Sequence, residues 1–120
     1  MKTFKSVLII DNDTVSNYMT RNFFAKIQCC EEIHFCKNGK EALRFIDLHF
    51  LPELILLDLF TPVMDGFEFI ENLNQRGLRD KTNLILYTSQ NQEHLNHSDY
   101  HVIDKPLTME KFCNVTETMV

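Results

Sequence analysis

The sequence predicts an α/β fold in which five short strands form a parallel sheet covered by helices, and three observations carry that prediction. Apolar runs of strand length alternate with helix-period segments, the pattern of repeated βα units. One run, Leu54-Ile55-Leu56-Leu57, is apolar at every position and so reads as a strand buried on both faces. It ends on Asp58 and a loop punctuated by Pro62 and Gly66, and the carboxyl ends of strands are where open α/β sheets bind ligands.

The first unit pairs a strand near Ser6–Ile10 with a helix for which Val15, Tyr18, Met19, Phe23 and Ile27 trace one apolar face. Asp13 or Thr14 stands where its N-cap is needed. The second strand falls near Glu32–Cys36; Asn38 can cap the helix after it, with Ala42, Leu43, Ile46 and Phe50 inside. After the third strand, Leu54–Leu57, the residues Phe67, Ile70 and Leu73 mark a helix that begins near Gly66 and stops near Gly77, a suitable C′ glycine. Asn83–Tyr87 reads as the fourth strand and His101–Ile103 as a weaker fifth, followed by a helix capped by Thr108 and carrying Met109, Phe112 and Cys113. Between the last two strands, Gln90–Tyr100 is polar and without clear period, which predicts a short or irregular fourth helix.

Composition narrows the function classes. A chain of 120 residues with 44% hydrophobic content has the size of one domain with a real core, and one domain over residues 1–120 with no output domain is expected. No run approaches the ~20 apolar residues of a membrane span. Met1-Lys2-Thr3-Phe4 runs directly into a strand pattern with no room for a signal peptide, so a cytoplasmic protein is expected. A net charge of -5 without a basic cluster argues against a nucleic-acid surface and for protein partners. The four cysteines, Cys29, Cys30, Cys36 and Cys113, lack Cys-x-x-Cys spacing and read as free thiols, with Cys36 and Cys113 in core patterns. A redox switch through Cys29-Cys30 is the sharper and less favoured reading. His34, His49, His94, His97 and His101 are scattered and receive no role.

Parallel strands present their C-termini on one edge, so four polar clusters converge there: Asp11 with Asn12 and Asp13, then Asp58, then Thr88 with Ser89, and Lys105 before Pro106. Two or three oxygen ligands suit Mg²⁺, which keeps several waters and leaves room for phosphoryl oxygens; a hydroxyl and an ammonium would stabilise the remaining charge. The rim is suited to phosphoryl transfer.

These residues give the chain a resemblance to the receiver domain of two-component response regulators, of the single-domain type seen in chemotaxis. Val7-Leu8-Ile9-Ile10-Asp11-Asn12 resembles the family's first strand and acidic pair, and Leu56-Leu57-Asp58-Leu59-Phe60-Thr61-Pro62-Val63-Met64-Asp65-Gly66 its phosphoacceptor segment. Leu86-Tyr87-Thr88-Ser89 resembles the segment of the switch threonine, and Ile103-Asp104-Lys105-Pro106-Leu107 that of the lysine and the following cis proline. The resemblance implies a flavodoxin-like, doubly wound (βα)5 fold with strand order 2-1-3-4-5. It implies that Asp58 takes a phosphoryl group from a histidine kinase or phosphotransfer protein, with Thr88 and Lys105 engaging that group. Mg²⁺ would be held by Asp11, Asn12, Asp58 and the carbonyl of Phe60, and the protein would be a monomer or weak dimer that signals by contacts and is no turnover enzyme.

Four departures from the family pattern set further expectations. Asn12 replaces a charged ligand by an amide oxygen, which predicts weakened Mg²⁺ binding; Asp13 restores the charge or merely caps the helix. Phe60 is bulky at the mouth of the site and either hinders attacking water, giving a slow-decaying phosphoryl state, or packs outside it. Val102 stands where relatives carry an aromatic three residues before the lysine, and nothing in the sequence makes Tyr87 or Tyr100 its substitute. The interval from Thr88 to Lys105 is short by roughly one helical turn, ~4 residues, which predicts an unusual output surface. The alternatives are a degenerate receiver that acts only as a binding module, and a haloacid-dehalogenase-like phosphatase with Asp11 as nucleophile and Asp13 as acid/base. The second fails on motif order, since Asp58 precedes the threonine and the closing acidic motif is missing after Lys105.

Overall fold

The computed structural model describes residues 2–89 and 99–119, and its sheet has five strands in the order β2-β1-β3-β4-β5. These are β1 (Phe4–Ile10), β2 (Cys30–Cys36), β3 (Leu54–Leu57), β4 (Asn83–Thr88) and β5 (His101–Asp104). Every neighbouring pair is parallel, with Ile10 opposite Cys36 and Leu57, Leu57 opposite Leu86, and Tyr87 opposite Ile103. Among the described residues four helices accompany the strands: α1 (Thr14–Ile27), α2 (Gly39–Leu48), α3 (Gly66–Gln75) and α4 (Met109–Thr116), with a 3-10 turn at Arg79–Lys81. The expected strand order and the third strand's bounds agree with this structure. The expected fourth helix, Gln90–Tyr100, falls outside the described residues except for a bend at Asp99 and Tyr100.

The chain leaves β1 toward β2 on one side and toward β3 on the other, so the reversal of strand order lies between β1 and β3, next to the ends that carry Asp11 and Asp58. Strand β3 is buried at all four positions because the sheet is covered on both faces. On one face Leu8, Ile10, Leu57 and Leu86 pack with Ala42, Ile46, Phe69 and Leu73 of α2 and α3. On the other, Val7, Ile9, Leu56, Tyr87 and Ile103 pack with Phe24 of α1 and Phe112 of α4.

The helix starts follow from their caps. Side chains of Asp13, Asn38, Asp65 and Thr108 accept backbone N–H groups of α1, α2, α3 and α4, satisfying donors that a helix start leaves over. Gly77 adopts φ +70 two residues past α3, as its C′ position requires.

Four expected inner faces need correction. In α1 Thr20 and Phe24 are buried and the expected Phe23 and Ile27 pack half-buried against the core, whereas Val15, Tyr18 and Met19 are 66, 67 and 50% exposed. The hydroxyls of Ser16 and Thr20 have polar partners beneath the helix, and that fixes a rotation which apolar spacing alone does not predict. In α3 the inward aromatic is Phe69 and Phe67 is exposed; in α4, Phe112 is buried and Met109 exposed. Phe50 lies beyond the end of α2 and meets Phe45 and His34 edge to face at the surface. The cysteines are free thiols, with Cys29 and Cys36 buried and Cys30 and Cys113 half-buried. No described helix is long and apolar enough to cross a membrane.

Candidate functional site

Asp11 follows β1 directly and is fully buried. Its N–H donates to the Cys36 carbonyl at 3.0 Å, and its own carbonyl accepts Asn17 Nδ2 at 2.9 Å. The carboxylate is heavily engaged: Oδ1 accepts the Asp13 N–H at 2.9 Å, and Oδ2 accepts the Ser16 hydroxyl at 2.7 Å and Lys105 Nζ at 2.6 Å.

Asp58 follows β3 in the same way, its N–H donating to the Ile10 carbonyl at 2.9 Å. Its Oδ1 accepts the Phe60 N–H at 3.0 Å, and its Oδ2 lies 3.3 Å from Lys105 Nζ. The two carboxylates therefore differ in access, with the Asp58 side chain 16% exposed and the Asp11 side chain at 0%.

Lys105 follows β5 and precedes a cis peptide bond to Pro106, in agreement with the resemblance. Its N–H donates to the Thr88 carbonyl at 2.8 Å, which ties the ends of β4 and β5 together. The ammonium bridges Asp11 and Asp58. Burial alone would lower the lysine pKa, but the hydrogen bond and charge of Asp11, joined by those of Asp58, outweigh it and raise the pKa, so the group stays cationic. Two carboxylates against one ammonium leave this buried rim with a surplus negative charge.

The structure thus brings Asp11, Asp58 and Lys105 into contact, and it places Thr88, buried, at the end of the neighbouring strand. Asn12 and Asp13 are exposed, and Asp13 Oδ1 accepts the N–H groups of Val15 and Ser16 at 2.9 and 3.2 Å, which is the helix-cap reading of that residue. Among the described residues no three Asp, Glu, His or Cys side chains converge to hold a metal. Phe60 is 47% exposed, and its backbone rather than its ring reaches Asp58.

Loop β3–α3 is shaped by close backbone approaches. Gly66 N–H donates to the Leu59 carbonyl at 2.9 Å, and a Cβ on Gly66 would stand 2.8 Å from Leu59 Cα. Val63 has φ 71, a left-handed conformation rare for a β-branched residue.

Two participants have no counterpart in the expected set. Ser16 holds the same Asp11 oxygen as Lys105, and Tyr87 lies under the lysine, its ring centroid 5.1 Å from Nζ. Strand alternation places Tyr87 on the α1 face, yet only the fold reveals that Lys105 crosses above it. Val102, like Tyr100, packs against the core of the opposite face, so Tyr87 does not occupy the place of the missing aromatic. A cavity of about 270 Å³ opens here between Val15 and Met19 of α1 and the Lys105-Pro106 loop.

Comparison with known proteins agrees with this geometry. Residues 7–117 match the family model of the response regulator receiver domain. The probable methanogenesis regulatory protein FilR2 of Methanothrix harundinacea is 27% identical over 92% of this chain and 78% of its own length. The uncharacterized transcriptional regulatory protein YhcZ of Bacillus subtilis is 37% identical over 74% of this chain but only 41% of its own length. The crystal structure of a two-component response regulator from Cytophaga hutchinsonii superposes with a TM-score of 0.84 at 23% identity, covering 97% of this chain and 96% of that one. A doubly wound sheet in the order β2-β1-β3-β4-β5, an aspartate rim closed by a lysine, and a family match over nearly its whole length together establish that this chain belongs to the response regulator receiver domain family.

Proposed function

We propose that the chain is a phosphoacceptor in two-component signalling, with Asp58 as the residue that carries the phosphoryl group. The observation that supports this most is the unequal treatment of two neighbouring carboxylates: Asp11 is buried with both oxygens engaged, while Asp58 keeps an edge open to solvent. A nucleophile must reach an incoming phosphorus, and only Asp58 has that access. The donor would be a phosphohistidine on a histidine kinase or phosphotransfer protein. An Asp58 oxygen forms the new P–O bond as the P–N bond breaks, and the imidazole nitrogen keeps the bonding pair and takes a proton from solvent.

The residues at the rim fit Mg²⁺. Two carboxylates compensated by one ammonium leave oxygen ligands and negative charge for a hard cation, and Mg²⁺ needs few protein ligands because it retains waters. Asp11 and Asp58, the Phe60 carbonyl and the Asn12 amide oxygen would hold it. When bound, the ion supplies positive charge against the phosphoryl oxygens. Lys105 orients the Asp58 carboxylate and offers its ammonium to the phosphoryl group, and Thr88 offers a hydroxyl from the adjacent strand end. The output is a change in contacts with a protein target.

Incubation with acetyl phosphate and Mg²⁺ followed by peptide mapping tests the assignment. Phosphoryl incorporation at Asp58, lost in Asp58→Asn, is the expected result. Labelling at Asp11 would transfer the nucleophile role to that residue, and absence of labelling would leave a receiver that works as a phosphorylation-independent binding module.

A further inference from the structure

We propose that Tyr87 is a positioning residue for this site: it forms an aromatic floor that holds the Lys105 ammonium between the two carboxylates, and α1 anchors it through Thr20 and Ser16. The proposal rests on the phosphoacceptor reading above and deepens it. Tyr87 is 2% exposed, and Nζ of Lys105 lies 5.1 Å from its ring centroid, inside the ~6 Å reach of an ammonium–aromatic attraction and away from bulk water, which strengthens it.

The ring is fixed at its far end. Its hydroxyl lies 2.9 Å from Thr20 Oγ1, and the Thr20 hydroxyl donates its proton to the Ser16 carbonyl at 2.9 Å, so the tyrosine is the donor to Thr20. Ser16 then donates its own hydroxyl to Oδ2 of Asp11, the oxygen that also accepts Lys105. The contacts close a loop: lysine over tyrosine, tyrosine to threonine, threonine to serine, serine to aspartate, aspartate to lysine. Without the ring, the attraction on Nζ would come from carboxylates alone, and the shorter contact, 2.6 Å to Asp11 against 3.3 Å to Asp58, would draw the ammonium toward the residue that does not accept the phosphoryl group. The aromatic face stabilises the charge without binding it to either aspartate, so the head group can turn to an incoming phosphoryl oxygen while its stem stays in place. This support comes from the α1 side of the sheet, opposite Val102.

The test uses the full chain with lysine carbons labelled for NMR, and phosphorylation by phosphoramidate over a concentration series. In the wild type the Lys105 ε-CH₂ signal is expected upfield of the other lysines through the ring current of Tyr87. Tyr87→Phe keeps the ring but loses its anchor to Thr20, so it is expected to keep an upfield shift smaller than the wild type's and a phosphorylation rate between those of the wild type and Tyr87→Leu. Tyr87→Leu is expected to lose the shift and about tenfold in rate, within the range of a desolvated ammonium–aromatic contact. A wild-type Lys105 signal without the upfield shift, or a folded Tyr87→Leu protein phosphorylated at the wild-type rate, overturns the proposal. The NMR arm needs no phosphorylation, so a wild type that shows the shifted lysine but takes up no phosphoryl group sinks the phosphoacceptor reading and leaves the Tyr87 contact standing.

Discussion

Val63 sits at φ 71 in the loop that follows Asp58, and it is 75% exposed, so little packing offsets its backbone strain. A non-glycine residue held in a sparsely populated region costs on the order of 1–3 kcal/mol, and asparagine accepts the left-handed region far better than a β-branched side chain. Val63→Asn is therefore expected to raise stability by about 1 kcal/mol, measured by urea unfolding with an unchanged slope. An equal or lower midpoint would show that the loop is not strained at this residue. The neighbouring Gly66 is there for the opposite reason, since a Cβ would meet the Leu59 backbone.

At the scale of the element, α1 shows how far the sequence could be read. The strands were legible because a sheet covered on both faces demands uninterrupted apolar runs, and Leu54–Leu57 satisfies that demand residue for residue. The rim was legible for a related reason: parallel strands deliver their last residues to one edge, so Asp11, Asp58, Thr88 and Lys105 had to be neighbours. The rotation of α1 was not, because Ser16 and Thr20 turn inward to polar partners, Ser16 to Asp11 just ahead of the helix and Thr20 to Tyr87 across 67 residues. No period of hydrophobicity encodes such a contact, and Val15, Tyr18 and Met19 are left on the outside as a result. Asp13 offers a test at this scale, because its carboxylate caps α1 by accepting the N–H groups of Val15 and Ser16. Asp13→Ala is expected to cost about 1 kcal/mol of stability while leaving Mg²⁺ affinity, followed by intrinsic fluorescence of the tyrosines, within twofold of wild type. A large loss of metal affinity would instead make Asp13 a ligand.

For the molecule as a whole, burial gives the alkaline limb of stability a definite sign. Burial pushes the Cys29 and Cys36 thiols from 9.0 to about 11, and it also raises Tyr87. Lys105 is raised as well, there because the aspartate contacts outweigh the burial that would lower it. Each of these groups releases its proton more easily from the unfolded chain than from the folded one. Their contribution is therefore complete below the unfolded pKa values and declines as pH rises through 9.0 toward 11. The thermal midpoint is expected to be flat up to about pH 8.5 and to fall above it; a midpoint that rises between pH 9 and 10.5 would contradict the burial of these groups. Strand β4 gives this molecule a further property. Tyr87 and Thr88 are consecutive, yet one serves the helix layer beneath the sheet and the other the rim, so a slip of a single residue against β3 or β5 would exchange their sides at once. The alignment of one strand thus acts as a shared reference mark for the helix layer and the rim alike, and an insertion or deletion in β4 would put both out of place together.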